Sequence, residues 1–131
     1  MRRDSVVVLP STATRRQILG VVRSWVALLA EERYADALRM FRRRSHWSAA
    51  LMKTVIQNYG SAHPRSDGKR FKVTTSAGAP GRRPHHHVRR DLAEVWFDLP
   101  LNGAWSDLTA TFDIVRHRRG LTLRLDDIHV M

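Results

Sequence analysis

The last third of the chain alternates apolar and polar residues with a period of two, and this pattern constrains the fold more than any other. Apolar residues on one face precede and follow a central dipeptide, Asn102-Gly103: Val95, Phe97, Leu99 and Leu101 before it, and Leu108, Ala110, Phe112 and Ile114 after it. Asn-Gly is the dipeptide best suited to the positive φ angles of a two-residue hairpin turn. A further strand with Leu121, Leu123 and Leu125 follows a turn at Arg118–Gly120. The sequence therefore predicts an antiparallel meander over residues 92–131.

The final strand of this meander changes phase near its end. With regular alternation, Ile128 and Val130 would face away from the side that carries Leu125. One extra residue in a strand, a β-bulge, returns the later side chains to the original face. We predict such a bulge at Asp126-Asp127.

The first sixty residues have helical periodicity. The first predicted helix has apolar residues three and four positions apart, and its candidate N-caps are Ser11, Thr12 and Thr14. A second helix is predicted from about Arg33 to Arg43. A third follows a cap at Ser45 and ends at Gly60, a typical C-cap glycine.

Two further segments connect the helices to the meander. Residues 70–75 alternate and predict a short strand, and the apolar run at residues 6–9 is a candidate edge strand. Residues 76–90 are rich in glycine, proline and charge, which predicts a flexible basic loop. Three helices followed by a meander indicate an α+β domain over residues 1–131, with three N-terminal helices packed on a curved, mainly antiparallel sheet.

The order of elements resembles the nuclear-transport-factor-like cone-fold superfamily, which includes ketosteroid isomerase and the polyketide cyclases. The segment Trp25 to Leu38, with its acidic turn Glu31-Glu32 and the sequence Tyr34-Ala35-Asp36-Ala37-Leu38, is similar to the opening of that superfamily. The resemblance implies a cone-like pocket between helices and sheet, which members use for catalysis, for ligand binding or not at all. The tail Asp126–Met131, preceded by Ser106–Thr109, also resembles the ending of small uncharacterised bacterial domains.

Acidic residues of the meander are the candidate general bases of such a pocket, because burial raises a carboxyl pKa toward a useful value. Asp98 and Asp107 flank the hairpin turn, and His129 near the C-terminus is a third candidate catalytic residue. The alternation, however, places Asp98 opposite Val95, so that it would face solvent or a partner subunit. Acids near a turn that pair with arginines are the simpler interpretation.

Three consecutive histidines at residues 85–87 suggest a metal site at first sight. Adjacent residues of an extended chain point to opposite sides, so that only His85 and His87 would share an ion. A third ligand is not evident in the sequence, and the neighbouring arginines would repel a cation. The chain also has no cysteine, which excludes thiolate ligands and disulfides. We therefore expect neither a metal nor a cofactor.

The formal net charge of +11 comes mainly from arginine, since three of the 23 basic residues are lysine. Arg82, Arg83, Arg89 and Arg90 are the candidate anion-binding residues of the basic loop, and Arg42–Arg44 form a second patch. These residues would suit a phosphate or an acidic partner. A solvated loop in a protein from a GC-rich genome is the alternative. Nucleic acid is the less favoured partner, because the loop lacks interleaved aromatics.

We expect a non-catalytic cone-fold domain that binds a protein or a small ligand. The candidate pocket or interface residues are Trp25, Tyr59, Trp96 and Trp105, and the last two would suit the contact of a homodimer. A small isomerase or cyclase with one of the three candidate bases is the first alternative, and an anion or nucleic-acid binder is the second. The run at residues 6–9 is too short for a signal peptide or a membrane span, so we expect a cytoplasmic protein without a membrane partner.

Overall fold

The computed structural model describes residues 6–41, 46–75 and 84–131 and has an α+β fold. Its helices are α1 (Arg15–Ala30), α2 (Tyr34–Arg39) and α3 (Ala49–Gln57), and its strands are β1 (His86–Val88), β2 (Glu94–Leu101), β3 (Ala104–His117) and β4 (Gly120–Val130). The four strands form one antiparallel sheet in the order β1-β2-β3-β4. The sheet is open, since β1 and β4 do not pair with each other. N-terminal helices followed by an antiparallel sheet confirm the predicted fold class.

Helix α1 begins at a capping box. The Thr14 hydroxyl accepts a hydrogen bond from the Gln17 backbone N–H at 3.1 Å, and Gln17 Oε1 accepts one from the Thr14 backbone N–H at 2.8 Å. This reciprocal pair satisfies two backbone donors that a helix start otherwise leaves free. Of the three predicted caps, Thr14 is therefore the one that starts the helix.

Helices α2 and α3 differ from the prediction at their ends. Helix α2 ends at Arg39 and so is shorter than predicted, and Arg43 and Ser45 lie outside the described residues. Ser48 caps α3 instead, since its hydroxyl accepts a hydrogen bond from the Leu51 N–H at 3.0 Å.

Two consecutive residues with positive φ end α3. The predicted Gly60 has φ 95°, and its N–H donates to the Val55 carbonyl at 2.8 Å. The residue in the left-handed conformation that closes the helix is Tyr59, with φ 55°. A non-glycine residue in this conformation carries backbone strain, so that its surroundings must hold it there.

The meander follows the predicted pattern. Asn102 and Gly103 have φ angles of 51° and 85° and join β2 to β3 in a two-residue turn. Thr111 of β3 pairs with Asp127 of β4, while the next residue of β3, Phe112, pairs with Leu125, so that Asp126 is the extra residue of a bulge in β4. Leu125 and Ile128 are consequently both buried, as the sequence predicted, whereas Val130 at the end of the strand is 46% exposed.

The strand pairing of two segments differs from the prediction: residues 70–75 form fewer strand contacts than predicted, and residues 76–90 contain a strand that was not predicted. The predicted strand at residues 70–75 makes a single bridge, between Val73 and Leu101. Elsewhere in this segment, the backbone forms hydrogen bonds with residues outside the sheet; the Phe71 N–H, for example, donates to the Gln57 carbonyl at 3.0 Å. Conversely, β1 lies within the segment predicted as a loop, residues 76–90.

The N-terminal run at residues 6–9 pairs with the edge of β4 through one bridge. Leu9 and Leu121 exchange two backbone hydrogen bonds of 2.8 Å each. The neighbouring Gly120 has φ 138°, and a Cβ there would lie 2.0 Å from the Leu9 carbonyl oxygen. Glycine is therefore required where the arm crosses the start of β4.

The core lies between the helices and one face of the sheet. Trp25 of α1 meets Phe41 and Phe112, with ring centroids 6.0 Å and 5.1 Å from its own, and these three side chains are almost fully buried. Aromatic side chains in such tilted and edge-on arrangements fix the position of the helix over the sheet. Within the described residues, no helix is both long and apolar enough to cross a membrane.

Candidate functional site

A cavity of about 430 Å³ lies between α1 and the sheet, and we call it the aromatic cavity. Its walls come from α1 and from strands β1 to β3, with two residues of the connecting segments: Arg23, Val26, Ala27, Thr75, Pro84, His86, Phe97, Pro100 and Trp105. The volume is within the range of small-ligand pockets, which are mostly apolar with a few polar groups.

His86 forms the centre of the sheet-side wall. It pairs with Phe97 across β1 and β2, and the two rings stack with centroids 3.7 Å apart and planes 4° from parallel. The Trp105 ring meets His86 nearly edge-on at 5.0 Å. These three rings therefore line one side of the cavity with aromatic groups.

The environment of His86 favours its neutral form. Burial lowers the pKa of the ring most, the hydrogen bond to the Asp98 carbonyl and the charge of Asp98 raise it, and the charge of Arg23 lowers it again. The net direction is downward from the ordinary value. Because a carbonyl oxygen only accepts, His86 Nε2, at 3.2 Å from the Asp98 oxygen, must carry the hydrogen. The neutral ring then has Nδ1 as a hydrogen-bond acceptor.

Arg23 is the cation of the aromatic cavity. Its side chain is exposed on α1, and it has no salt bridge to any residue in the three described ranges. A guanidinium at the rim of an apolar cavity attracts carboxylates and similar oxyanions. The cavity therefore combines aromatic and other apolar walls with one positive charge.

Asp98 is buried, at 1% exposure, although its place in the alternation predicted a solvent-facing side chain. The prediction of its exposure was wrong because the chain before β1 covers it. The Thr109 hydroxyl donates to Oδ1 at 2.8 Å, and the His85 backbone N–H donates to Oδ2 at 2.7 Å. Both carboxylate oxygens are engaged, which is the arrangement of a structural acid that anchors β1 to β2 and β3.

A second cavity, of about 360 Å³, lies on the other side of Trp105, and we call it the tyrosine cavity. Its lining comprises Tyr59, Phe71, Leu101, Ala104, Trp105, Ser106 and Asp107. The Tyr59 hydroxyl donates a hydrogen bond to Asp107 Oδ1. Asp107 is thus held by a phenol and not by an arginine, and it is the one predicted acid that lines a cavity described here.

The Tyr59 ring is also fixed from the side. It stacks on Phe71 with centroids 5.0 Å apart, and the Arg65 guanidinium lies 5.9 Å from the Tyr59 centroid and 5.5 Å from that of Phe71. These contacts hold the strained backbone of Tyr59 in place.

The other predicted residues lie elsewhere. Trp25 is in the core, and Trp96 donates from Nε1 to Glu94 Oε1 at 2.9 Å near His85, outside both the aromatic and the tyrosine cavity. His129 Nδ1 lies 3.0 Å from Asp127 Oδ2 on a partly exposed strand, so its acidic neighbour is Asp127 and not Asp107.

The predicted anion-binding and histidine residues are only partly described. Arg89 forms salt bridges with Asp91 and Glu94, Arg90 is exposed, and Arg82, Arg83 and Arg42–Arg44 lie outside the described residues. The rings of His85 and His87 stack at 5.9 Å, which places them on one side of the chain. Within the described residues, no group of three or more side chains has the types and spacing of a metal site.

The sequence analysis did not identify His86 and Arg23 as residues of a pocket. The alternation His86–Val88 is a weak strand signal, but the glycine, proline and charge around it indicated a loop. Arg23 lay on the polar face of a helix, where arginine is ordinarily a solvated residue. The chain matches no family model, no curated protein and no solved structure, so that its function must be inferred from its own geometry.

Proposed function

We propose that this chain is a non-catalytic small-molecule-binding domain whose aromatic cavity holds a planar organic anion. The observation that carries the proposal is the combination of the stacked His86–Phe97 face, the Trp105 side wall and the Arg23 cation around one cavity of about 430 Å³. Flat aromatic walls favour a flat ligand, since offset and edge-on ring contacts add to the burial of apolar area.

The charge of the ligand follows from the polar groups. Arg23 has no described carboxylate partner, and Asp98, the nearest acid below the His86 ring, is already bonded through both oxygens. A ligand carboxylate would therefore meet one cation, and no carboxylate of the described residues lines the cavity. A charge-assisted hydrogen bond of this kind is about twice as strong as a neutral one.

The position of the cavity supports a relationship to the cone-fold superfamily. It lies between the first helix and the sheet, where the resemblance of the sequence implies a pocket. The order of three helices before an antiparallel sheet supports the same relationship. A cone-like curvature of the sheet is part of this proposal.

The test uses 2-naphthoate and its uncharged counterpart 2-naphthamide as probes. We expect both to shift the indole NMR signal of Trp105 and the amide signals of Trp105 and Phe97. The carboxylate should bind about tenfold more tightly, the value of one charged hydrogen bond. Equal affinity for the two probes would contradict an anion site. Shifts spread over residues far from the cavity, or no shifts, would contradict a small-molecule site there.

Two substitutions separate the contribution of the Arg23 charge to ligand binding from that of the Trp105 ring. Arg23→Gln should abolish the preference for naphthoate over naphthamide, whereas Trp105→Ala should weaken both ligands. Arg16→Gln is the matched control, because it removes the same charge from the same helix outside the cavity. If Arg16→Gln reduces naphthoate binding as much as Arg23→Gln, net charge explains the preference and the site does not.

An isomerase or cyclase is the second candidate, and the Tyr59–Asp107 pair in the tyrosine cavity favours it. In this function, Asp107 removes a proton next to a carbonyl group through Oδ2, while the Tyr59 phenol keeps its hydrogen bond to Oδ1 and orients the carboxylate. Cyclic ketones in D₂O would test it by the uptake of deuterium, followed by NMR. Exchange no faster than with the Asp107→Asn variant would rule the candidate out.

A further inference from the structure

Two turns lie together at one end of the sheet. The segment that joins β1 to β2 contacts β3, since the Ile114 N–H donates to the Ala93 carbonyl at 2.9 Å. Strand β3 continues from there by three residues to His117 and turns through residues 118–119 into β4. Because alternate turns of a meander fall at the same end of the sheet, Arg90 of the first turn and Arg118 and Arg119 of the second lie at one end of it.

The start of α1 is brought to the same end by the N-terminal arm. Leu9 pairs with Leu121, directly after the β3–β4 turn, and the Pro10 carbonyl accepts a hydrogen bond from the Ala13 N–H at 2.9 Å. Helix α1 begins two residues later. Arg15 and Arg16 in its first turn thus join the basic residues of the sheet.

We call this surface the arginine end. It consists of six exposed arginines: Arg15, Arg16, Arg90, Arg116, Arg118 and Arg119. None of the six forms a salt bridge with another residue that the structure describes.

The acids nearest to this end are already used by other arginines. Asp91 and Glu94 pair with Arg89, and Asp113 pairs with Arg124 at 2.8 Å. The arginine end therefore keeps its positive charge.

This arrangement is electrostatically unfavourable for the free protein. Like charges at short range repel, and cations in the first turn of a helix oppose its dipole. Helix α1 has two arginines and no acid in its first turn. An anionic partner would remove both penalties. Arginines scattered at random over a solvated surface would not be concentrated at one end in this way.

We infer that the arginine end binds the phosphate backbone of double-stranded nucleic acid without base specificity. Guanidinium groups match phosphate oxygens in a bidentate geometry. Among the described residues, the exposed large apolar side chains are Val8, Val130 and Met131, so this end has no exposed aromatic group. That absence disfavours a protein hot spot, the insertion of side chains into a membrane and the stacking of single-stranded bases.

The test measures binding of the full chain to a short fluorescein-labelled DNA duplex of mixed sequence by fluorescence anisotropy. Affinity should fall linearly with salt on a double logarithmic plot, with a slope no steeper than about −5 for six phosphate contacts. The variant with Arg90, Arg116, Arg118 and Arg119 changed to Gln should lose affinity about tenfold or more at low salt, with a shallower slope. All four are exposed, and the circular dichroism spectrum and melting temperature verify that the variant is folded.

The control removes four exposed positive charges that lie outside the arginine end: Lys53, Lys69, Arg70 and Lys72 are changed to Gln. Lys72 lies at the opposite end of the sheet, because its carbonyl accepts a hydrogen bond from the Asn102 N–H in the β2–β3 turn. The control variant should retain most of its affinity for the duplex. An equal loss in both variants would show that net charge alone attracts the DNA, and would overturn the site.

Two competitors identify the class of partner. Polyglutamate and phosphatidylserine vesicles carry similar charge on an acidic peptide and on a lipid surface. The proposal expects the duplex to bind more tightly than either competitor at matched charge. Tighter binding of polyglutamate or of the vesicles, lost in the arginine-end variant, would assign the surface to an acidic protein or to a membrane and overturn the nucleic-acid proposal.

Discussion

The hydroxyl of Tyr59 donates a hydrogen bond to Oδ1 of Asp107, which ties the end of α3 to β3. Tyr59 has the left-handed φ of 55°, so that the side-chain contact holds a strained backbone. We expect Tyr59→Phe to lower the free energy of unfolding by about 1 to 2 kcal/mol, since it removes a hydrogen bond to a charged group. Urea unfolding measures the change.

The other tyrosine of the chain supplies the control for that substitution. Tyr34 is buried, and no hydrogen bond to its hydroxyl appears among the described residues. Tyr34→Phe should therefore be close to neutral. An equal loss of unfolding free energy in both variants would mean that the hydrogen bond from Tyr59 to Asp107 does not stabilise the fold.

Gly120 is the position where a single methyl group should be most disruptive. A Cβ there would lie 2.0 Å from the Leu9 carbonyl oxygen, and φ is 138°. Gly120→Ala should cost about 3 kcal/mol or more, because backbone must move and an unfavourable conformation is imposed. Faster hydrogen exchange at Leu9 and Leu121 would show that the bridge between them is lost.

Gly20 is the matched position, since it lies within α1 and a Cβ there meets nothing within 4 Å. Gly20→Ala should raise the free energy of unfolding by about 0.5 to 1 kcal/mol, because alanine is the better helix former. A neutral Gly120→Ala together with a destabilising Gly20→Ala would contradict the packing of the N-terminal arm.

His86 should make the protein less stable in mild acid. Its pKa is lowered from 6.5 mainly by burial, so between the folded and unfolded pKa values the unfolded chain binds more protons. Stability from this ring is complete above the unfolded pKa and falls as the pH decreases below it. The free energy of unfolding at about pH 7.5 and about pH 5 should therefore differ more for the wild type than for His86→Gln.

NMR titration of the histidine rings gives an independent measurement of the same effect. The His86 ring should titrate below 6.5, the ordinary value. His63→Gln, at an exposed histidine, is the control and should keep the pH dependence of the wild type. If His86→Gln and His63→Gln behave alike, burial of His86 has no influence on stability.

Asp98 should prove structural. Asn has one acceptor oxygen where the carboxylate has two. Asp98→Asn therefore places an amide NH₂ group against one of the two described donors, the His85 backbone N–H or the Thr109 hydroxyl. We expect a loss of about 1 to 3 kcal/mol in the free energy of unfolding, the cost of an unsatisfied buried polar group. Asp91→Asn, which removes one exposed salt bridge, should cost less than about 1 kcal/mol. A neutral Asp98→Asn would contradict the anchoring role.

The meander was predictable because its signals are local. Asn102-Gly103 specifies positive φ angles without reference to the rest of the chain. The bulge at Asp126 follows from the phase of a few side chains, since a shift of one residue turns every later side chain to the other face. Both rules depend only on residues that are close in sequence, so that they can be applied to one sequence alone.

The candidate site was harder to predict because it depends on contacts between distant residues. Alternation correctly separates Asp98 from the core face, yet it does not show that the chain at His85 covers the second face. The left-handed Tyr59 depends in turn on Asp107, 48 residues away. Arg23 becomes a cavity residue only because α1 lies over β1 and β2.

Trp105 lines both the aromatic cavity and the tyrosine cavity. One indole ring thus belongs to the walls of both cavities, and a ligand that displaces it in one cavity changes the space in the other. By thermodynamic linkage, the two occupancies then alter each other's affinity by the same factor. A compound bound beside Tyr59 would in this way act as an allosteric effector of the cavity at His86, although the two cavities have no other lining residue in common.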